Sequence, residues 1–272
     1  MSPATRRRRR TDWPRLLLLA YVVLFVVFLL SPIVSVVVVS FSTASFITFP
    51  VPGWGLRWYA RILEYRPFLD AMLVSIELAL SAATLGTALG APAALGLARS
   101  HTAGAAILAN LLLAPISVPA IVLGFALLYF LAGIGFGISF LSLLIAHTVV
   151  SIPYIVRTVL ATYRTLPPSL EEAASILGAS RWQVLRHTTL PLIRPGIFAG
   201  ALFAVLTSLD NLPLSFFFGS ATTNTLPVVM LSYMENQFDP SIAAVSTVQM
   251  LVAIICLLVL DRLYGIERLT AT

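Results

Sequence analysis

The sequence predicts an all-α membrane protein with six transmembrane helices, and three observations predict it. Of 272 residues, 59% are hydrophobic and 10% charged, against roughly 25% charged in an ordinary soluble domain. Six apolar stretches reach the ~20 residues that a helix needs to cross a bilayer. The arginines, finally, fall almost entirely in alternate connections between those stretches.

The apolar stretches run over 16–41, 69–98, 105–132, 138–160, 196–219 and 242–264. The first follows an arginine run and so has to be weighed as a signal peptide. It is far longer than the ~7–15 residues of a signal core, with no small-residue cleavage site after it, and reads as a retained helix. The expected organisation is a leader over 1–15, a first helix and external segment over 16–68, a core over 69–264 and a tail over 265–272. Ser42 to Phe68 is the longest external stretch. Its Pro50, Pro52, Gly53, Trp54, Trp58 and Tyr59 suit turns followed by an interfacial aromatic helix.

All seventeen positive side chains are arginines, because lysine is absent. Arg6–Arg10 form one run; without it the positive and negative charges nearly balance. The high pI therefore belongs to a tail facing anionic lipid, not to a nucleic-acid-binding face. Alternating spans put fourteen of the seventeen arginines on one side, leaving Arg57, Arg61 and Arg66 on the other. Positive charge is retained inside, which predicts cytoplasmic N- and C-termini.

Some spans carry interruptions. Pro115 and Pro119 lie four apart in the third, and Pro153 lies in the fourth. Proline removes a backbone donor and opens a carbonyl, which a membrane tolerates where neighbouring helices or a cavity satisfy the exposed groups. In the second span Ser75, Ala79, Ser81, Gly86 and Gly90 would let another helix approach closely.

The connection over 165–192 is the most informative, being long and not simply polar. Ser169 with Glu172 three residues on forms a capping-box pattern, and Ser180 with Gln183 forms a second. Gly178 suits the left-handed residue just beyond a helix end. Pro191 is expected to stop the second helix. The pattern predicts two short cytoplasmic helices turning at Gly178. Trp182, Leu185 and Leu190 beside Arg181 and Arg186 suit docking on another protein, or alternatively a helix lying on lipid.

Glu172-Ala173-Ala174, then Gly178-Ala179, then Leu190-Pro191 resemble the EAA loop of the permease subunits of bacterial ABC importers. Thr188 and Leu185 stand where that pattern more often has a branched aliphatic and a phenylalanine. The resemblance extends from about Trp58 to Gly265. Ala146-His147-Thr148-Val149 with Pro153-Tyr154-Ile155-Val156-Arg157 is similar to the fourth span of the spermidine/putrescine subgroup. Pro115-Ile116-Ser117-Val118-Pro119 with Gly124 is similar to its third. Ser208-Leu209-Asp210-Asn211 followed by Ser215-Phe216-Phe217 resembles its fifth, with Asn211 where a second acid is usual.

The resemblance implies a non-catalytic membrane subunit in a bacterial cytoplasmic (inner) membrane. It implies a second permease chain, different from this one, two copies of an ATP-binding subunit and an external solute-binding protein. The loop 165–192 would be the coupling element, with Glu172, Ala173, Ala174, Gly178, Ala179, Trp182, Leu185, Leu190 and Pro191 meeting the ATPase. The solute would be a polyamine or related amine. No cofactor is expected on this chain; ATP and Mg would bind the partner ATPase. The sequence agrees, since it has no G-x-x-x-x-G-K-[ST] phosphate loop and no lysine to complete one.

His101, His147 and His187 are too scattered to pair as metal ligands. Cys256 stands alone and can neither form an intrachain disulfide nor build a metal cluster. Ser139, Ser142 and His147 read as helix-packing polar residues and not as an intramembrane protease site. A secondary transporter working without an ATPase is the alternative. It would call for several intramembrane acids on inversion-related repeats, and the sequence shows no such repeat. Charges within a span are functional candidates by default. Glu77 in the second span, and Asp210 with Asn211 about two-thirds along the fifth, are the expected pathway residues, with a structural hydrogen bond the competing role.

Overall fold

The computed structural model describes residues 13–100, 102–220 and 223–264; Arg6–Arg10, His101 and the tail over 265–272 lie outside the described residues. Regular structure among them is helical, apart from one isolated antiparallel bridge, Ser42 to Trp54. Five helices are long and apolar enough to cross a membrane, or six when a bent pair counts as one span. The chain divides into two bodies. One comprises residues 1–61 with 239–247, the other 62–238 with 248–272.

The first body contains α1 (Trp13–Ser40). Its side chains are bare from Trp13 to Val36, and a helix apolar on every side is suited to lipid. Polar contacts begin where α1 ends. Ser40 donates to the Val37 carbonyl and lies 2.8 Å from the Tyr59 hydroxyl. Phe41 packs on the Tyr59 ring with centroids 5.2 Å apart. The expected aromatic segment is the helix α2 (Arg57–Glu64). Arg57 starts it by stacking on Trp58 at 4.4 Å and donating to the Thr43 carbonyl.

The second body is built on three packed helices: α3 (Arg66–Ala98), α6 (Phe140–Arg164) and α9 (Leu190–Leu209). Ile155 of α6 is fully buried between a glycine on each neighbour. A Cβ on Gly90 of α3 would stand 3.2 Å from its side chain, and one on Gly200 of α9 would stand 2.8 Å from its Cα. Close backbone approach through small residues is how membrane helices associate without a hydrophobic drive from water. Pro153 lies within α6 without ending it.

The third span is not one rod. α4 (Ala103–Ser117) and α5 (Ala120–Gly133) meet at 111°. Pro119 disfavours helical backbone at the residue before it, and Val118 is extended at φ −92°, ψ 133°. The fifth span also differs from expectation. It stops at Leu209, and a short helix α10 (Leu212–Phe217) follows after Asp210 and Asn211. Pro213 opens α10, while the Asn211 side chain accepts from the Leu214 amide at 3.2 Å and caps it. α11 (Leu226–Asn236) and α12 (Ser241–Tyr264) complete the order.

Candidate functional site

The connection after α6 begins at Thr165 and folds as α7 (Ser169–Ile176), then α8 (Arg181–Val184). The first expected capping box does not form. Pro168 takes helical angles, φ −57° and ψ −29°, and starts the turn one residue early. Ser169 is then inside the helix, where its hydroxyl cannot serve as an N-cap. The other end is as the sequence predicts. Gly178 has φ +87°. Its amide donates to Ser175 and that of Ala179 to Ala174, the paired bonds that close a helix with a left-handed glycine. Ser180 and Gln183 form the full capping box that opens α8.

Pro191 does not stop the second helix. Residues Leu185–Thr189 form a π turn that runs directly into α9, so Arg181–Leu209 is one continuous span. The Leu190 amide reaches back to the Leu185 carbonyl. Widening the turn in this way accommodates a proline, which brings no donor and would otherwise crowd the carbonyl four residues earlier.

One carboxylate ties this connection to the span ends. Glu171 on α7 accepts from Arg99 at 2.7 Å and from Thr189 through one oxygen, and from Tyr163 at 3.2 Å through the other. Arg99 follows the end of α3, Tyr163 is in the last turn of α6, and Thr189 closes the π turn. Arg99 also donates to the Tyr163 hydroxyl and to Thr189 at 3.3 Å each. Burial alone would push the Glu171 carboxyl up. Hydrogen bonds from Thr189 and Arg99, the Arg99 charge and the Tyr163 bond outweigh it and hold the group below the usual carboxylate range. Glu171 thus joins α7 to residues at the ends of α3 and α6 and just before α9.

Beside these anchors, bare apolar side chains stand among the exposed Glu172, Ser175, Arg181 and Arg186. Ile176 and Leu177, beside the Gly178 turn, are 85% and 88% exposed, and Trp182 is 66% exposed. Two adjacent aliphatics bare at the tip of this turn form an exposed apolar knob. Behind the knob is a cleft of about 680 Å³ lined by Arg99, Glu171, Glu172, Ser175, Ile176 and Arg181, among others. A second groove of about 510 Å³, lined mainly by apolar groups, brings Trp182, Leu185 and Leu190 of the sequence prediction to Pro92, Leu95 and Ile197.

Glu172 and Ala173 are exposed on α7, whereas Ala174, Ala179, Leu185 and Pro191 are half-buried supports. Sequence reasoning missed Glu171, Arg99, Tyr163 and Thr189, whose pairing across as many as 90 residues leaves no local signal. It also passed over Ile176 and Leu177. Two aliphatics directly before the turn glycine of a polar connection were a legible sign.

The expected pathway residues are not brought together. Asp210 is exposed at the end of α9, not within it, because Asn211 and Pro213 restart the chain as α10. Glu77 is exposed on α3, and Asn211 is buried as a cap. Neither acid lines the cavities described above. The break has a different brace. His147 on α6 lies 2.8 Å from Ser208 through Nδ1 and 3.1 Å from Ser215 through Nε2, bonding to both sides of it. Ser139 caps α6 and lies 3.1 Å from Ser142, so these serines and His147 are helix-packing groups. Among the described residues no group of three His, Cys, Asp or Glu could hold a metal.

Residues 86–266 match the family model described as "Binding-protein-dependent transport system inner membrane component". The putrescine transport system permease protein PotI of Escherichia coli K12 is 31% identical over 245 residues, 88% of this chain and 85% of that one. The molybdenum transport system permease protein ModB of Mycobacterium bovis is 34% identical over 205 residues, 70% of this chain and 76% of that one. A bacterial alginate ABC transporter, solved with an alginate-bound periplasmic protein, superposes with TM-score 0.68. At 18% identity it covers 96% of each chain and shares the fold.

Proposed function

The chain belongs to the family of inner membrane components of binding-protein-dependent transport systems, as a permease subunit of an ABC importer, and from that premise we propose how it is coupled and what it carries. The connection 165–192 docks on a separate ATP-binding subunit at the cytoplasmic face, with both termini of the chain on the same side. Ile176, Leu177 and Trp182 enter the partner's surface. Glu172 and Arg181 flank them at the cleft where a partner side chain can be held. ATP and Mg are bound by two copies of that subunit, and hydrolysis occurs there. A second, different permease chain completes the pathway, and an external binding protein delivers the solute.

The observation that carries the coupling role is the bare aliphatic pair mounted on the Glu171 network. An interfacial helix resting on lipid would need no such rigid mount. With Glu171 joined to α3, α6 and the start of α9, a shift of the ATPase groove moves the bundle and not the connection alone. Movement of packed helices as bodies is the usual form of such transitions.

The solute we assign is a polyamine or related amine. Support comes from the putrescine permease among its relatives and from the stretch around Asp210, whose exposed carboxylate would attract a passing ammonium group. The test is reconstitution of the complex in vesicles with its ATPase and binding protein. Putrescine or spermidine should stimulate ATP hydrolysis and accumulate inside, and molybdate should do neither. Molybdate uptake without amine uptake would overturn the solute; uptake with no ATPase present would overturn the coupling.

A further inference from the structure

A cavity of about 650 Å³ lies at the end of the second body away from the coupling connection. Tyr65 and Pro67 line it where α3 begins, whereas Arg99 of the Glu171 network follows the end of α3. A helix of 33 residues separates them by about 50 Å. The volume is that of a small-molecule site.

Its walls are specific in chemistry. Tyr65, Phe216 and Tyr233 supply aromatic rings, and Asn224, Asn236 and Gln237 supply amides. Glu235 is the one charged side chain among the described lining residues; Arg66, between Tyr65 and Pro67 in the chain, is not part of the lining. A wall with a carboxylate and aromatic rings but no guanidinium favours cations over oxyanions.

The site is also preformed. Tyr233 is buried, with its ring 5.5 Å from Tyr65 and 5.0 Å from Phe68, and Tyr65 and Phe68 are 4.9 Å apart. Phe68 is fully buried and roots the cluster. α11, which carries Tyr233 and Glu235, is pinned to α3 by the Leu226 amide, which donates to Ser75 at 2.8 Å. Aromatic walls held this way lose little freedom when a ligand arrives.

We propose that this cavity is an entry subsite for an alkylammonium group, with Glu235 as the counter-charge and Tyr65, Tyr233 and Phe216 as the walls. The assignment rests on the amine reading of the solute. It makes the first selection within the membrane subunit at Glu235, ahead of the break at Asp210. A diamine leaving the binding protein places one ammonium at Glu235 and lays its methylenes along the rings.

The test uses the reconstituted complex and an aryl-azide derivative of putrescine. Without binding protein, the probe should label peptides spanning 62–68 and 223–237, with protection by putrescine and not by molybdate. In the full system Glu235→Gln should lower putrescine uptake about tenfold, the scale of one charge-assisted hydrogen bond, and Glu235→Asp should restore much of it. Assembly and affinity for the binding protein should not change. Wild-type uptake by Glu235→Gln, in vesicles that import putrescine, would overturn the subsite and leave the amine reading standing. So would a parallel loss of binding-protein affinity, which would make Glu235 a docking contact. If the wild-type complex imports no amine at all, the solute reading falls, and the subsite with it.

Discussion

The two ends of the packed helices solve opposite problems with similar residue types. At the α7 end a carboxylate is satisfied internally: Glu171 accepts from Arg99, Thr189 and Tyr163, and the apolar side chains most exposed there are Ile176 and Leu177. At the far end the aromatic rings are packed together, and a carboxylate, Glu235, is exposed at the cavity they line. A charge that is paired stiffens a joint; one that faces a cavity selects what enters. On the proposed roles, the difference separates a mechanical end from a recognising end within a single chain.

The largest expected effect breaks the mechanical end. Gly178→Val puts a β-branched residue at φ +87°, where a left-handed conformation costs at least ~1–2 kcal/mol. The turn presenting Ile176 and Leu177 should reorganise, ending uptake while the chain still inserts. Normal uptake would show that this geometry is not used.

Second in size is the mount itself. Arg99 and Glu171 are partly exposed, so the pair contributes at most about 1 kcal/mol to stability. Glu171→Ala and Arg99→Ala should leave the fold and the bound ATPase in place while each uncouples hydrolysis from uptake. Measured as a double-mutant cycle on the ratio of solute moved to ATP hydrolysed, the pair should be less damaging than the sum of the singles. Strict additivity would mean the two side chains act separately.

Asp210→Asn probes the passage between the ends. It keeps shape and hydrogen bonding but removes an exposed charge beside the break. Uptake should fall with assembly intact. Uptake equal to wild type would remove Asp210 from the route, and failure to assemble would make it structural.

The smallest effect concerns pH. Glu171 is held below the usual carboxylate range, so its contribution is complete above the ordinary value of ~4.3 and is lost only as pH falls through the lowered one. The ratio of wild-type to Glu171→Gln activity should therefore stay flat from about pH 5 to 8. A step in that ratio near neutrality would contradict the pairing.

Much of this was legible in the sequence for identifiable reasons. Span lengths follow from apolar run length, and Gly178 and the Ser180–Gln183 box follow from backbone chemistry within a few residues. Errors arose where local signals compete. Pro191 reads as a stop, yet a π turn absorbs it; Ser169 reads as a cap, yet Pro168 starts the helix first. Asp210 reads as embedded because apolar residues continue past it, but Asn211 and Pro213 restart the chain as a new helix. Nothing local could reveal that Arg99 meets Glu171 or that Tyr65 meets Tyr233, since those pairs depend on how α3 packs.

The Ile176–Leu177 knob is proposed to join the permease to its ATPase. The most direct measurement is co-purification of the ATP-binding subunit with Ile176→Asp and Leu177→Asp permeases. Both side chains are bare in the isolated chain, so thermal stability of the permease should hold. The ATPase should be lost from both variants, and solute-stimulated hydrolysis should disappear with it. Stoichiometric ATPase with undiminished stimulation in either variant would contradict it.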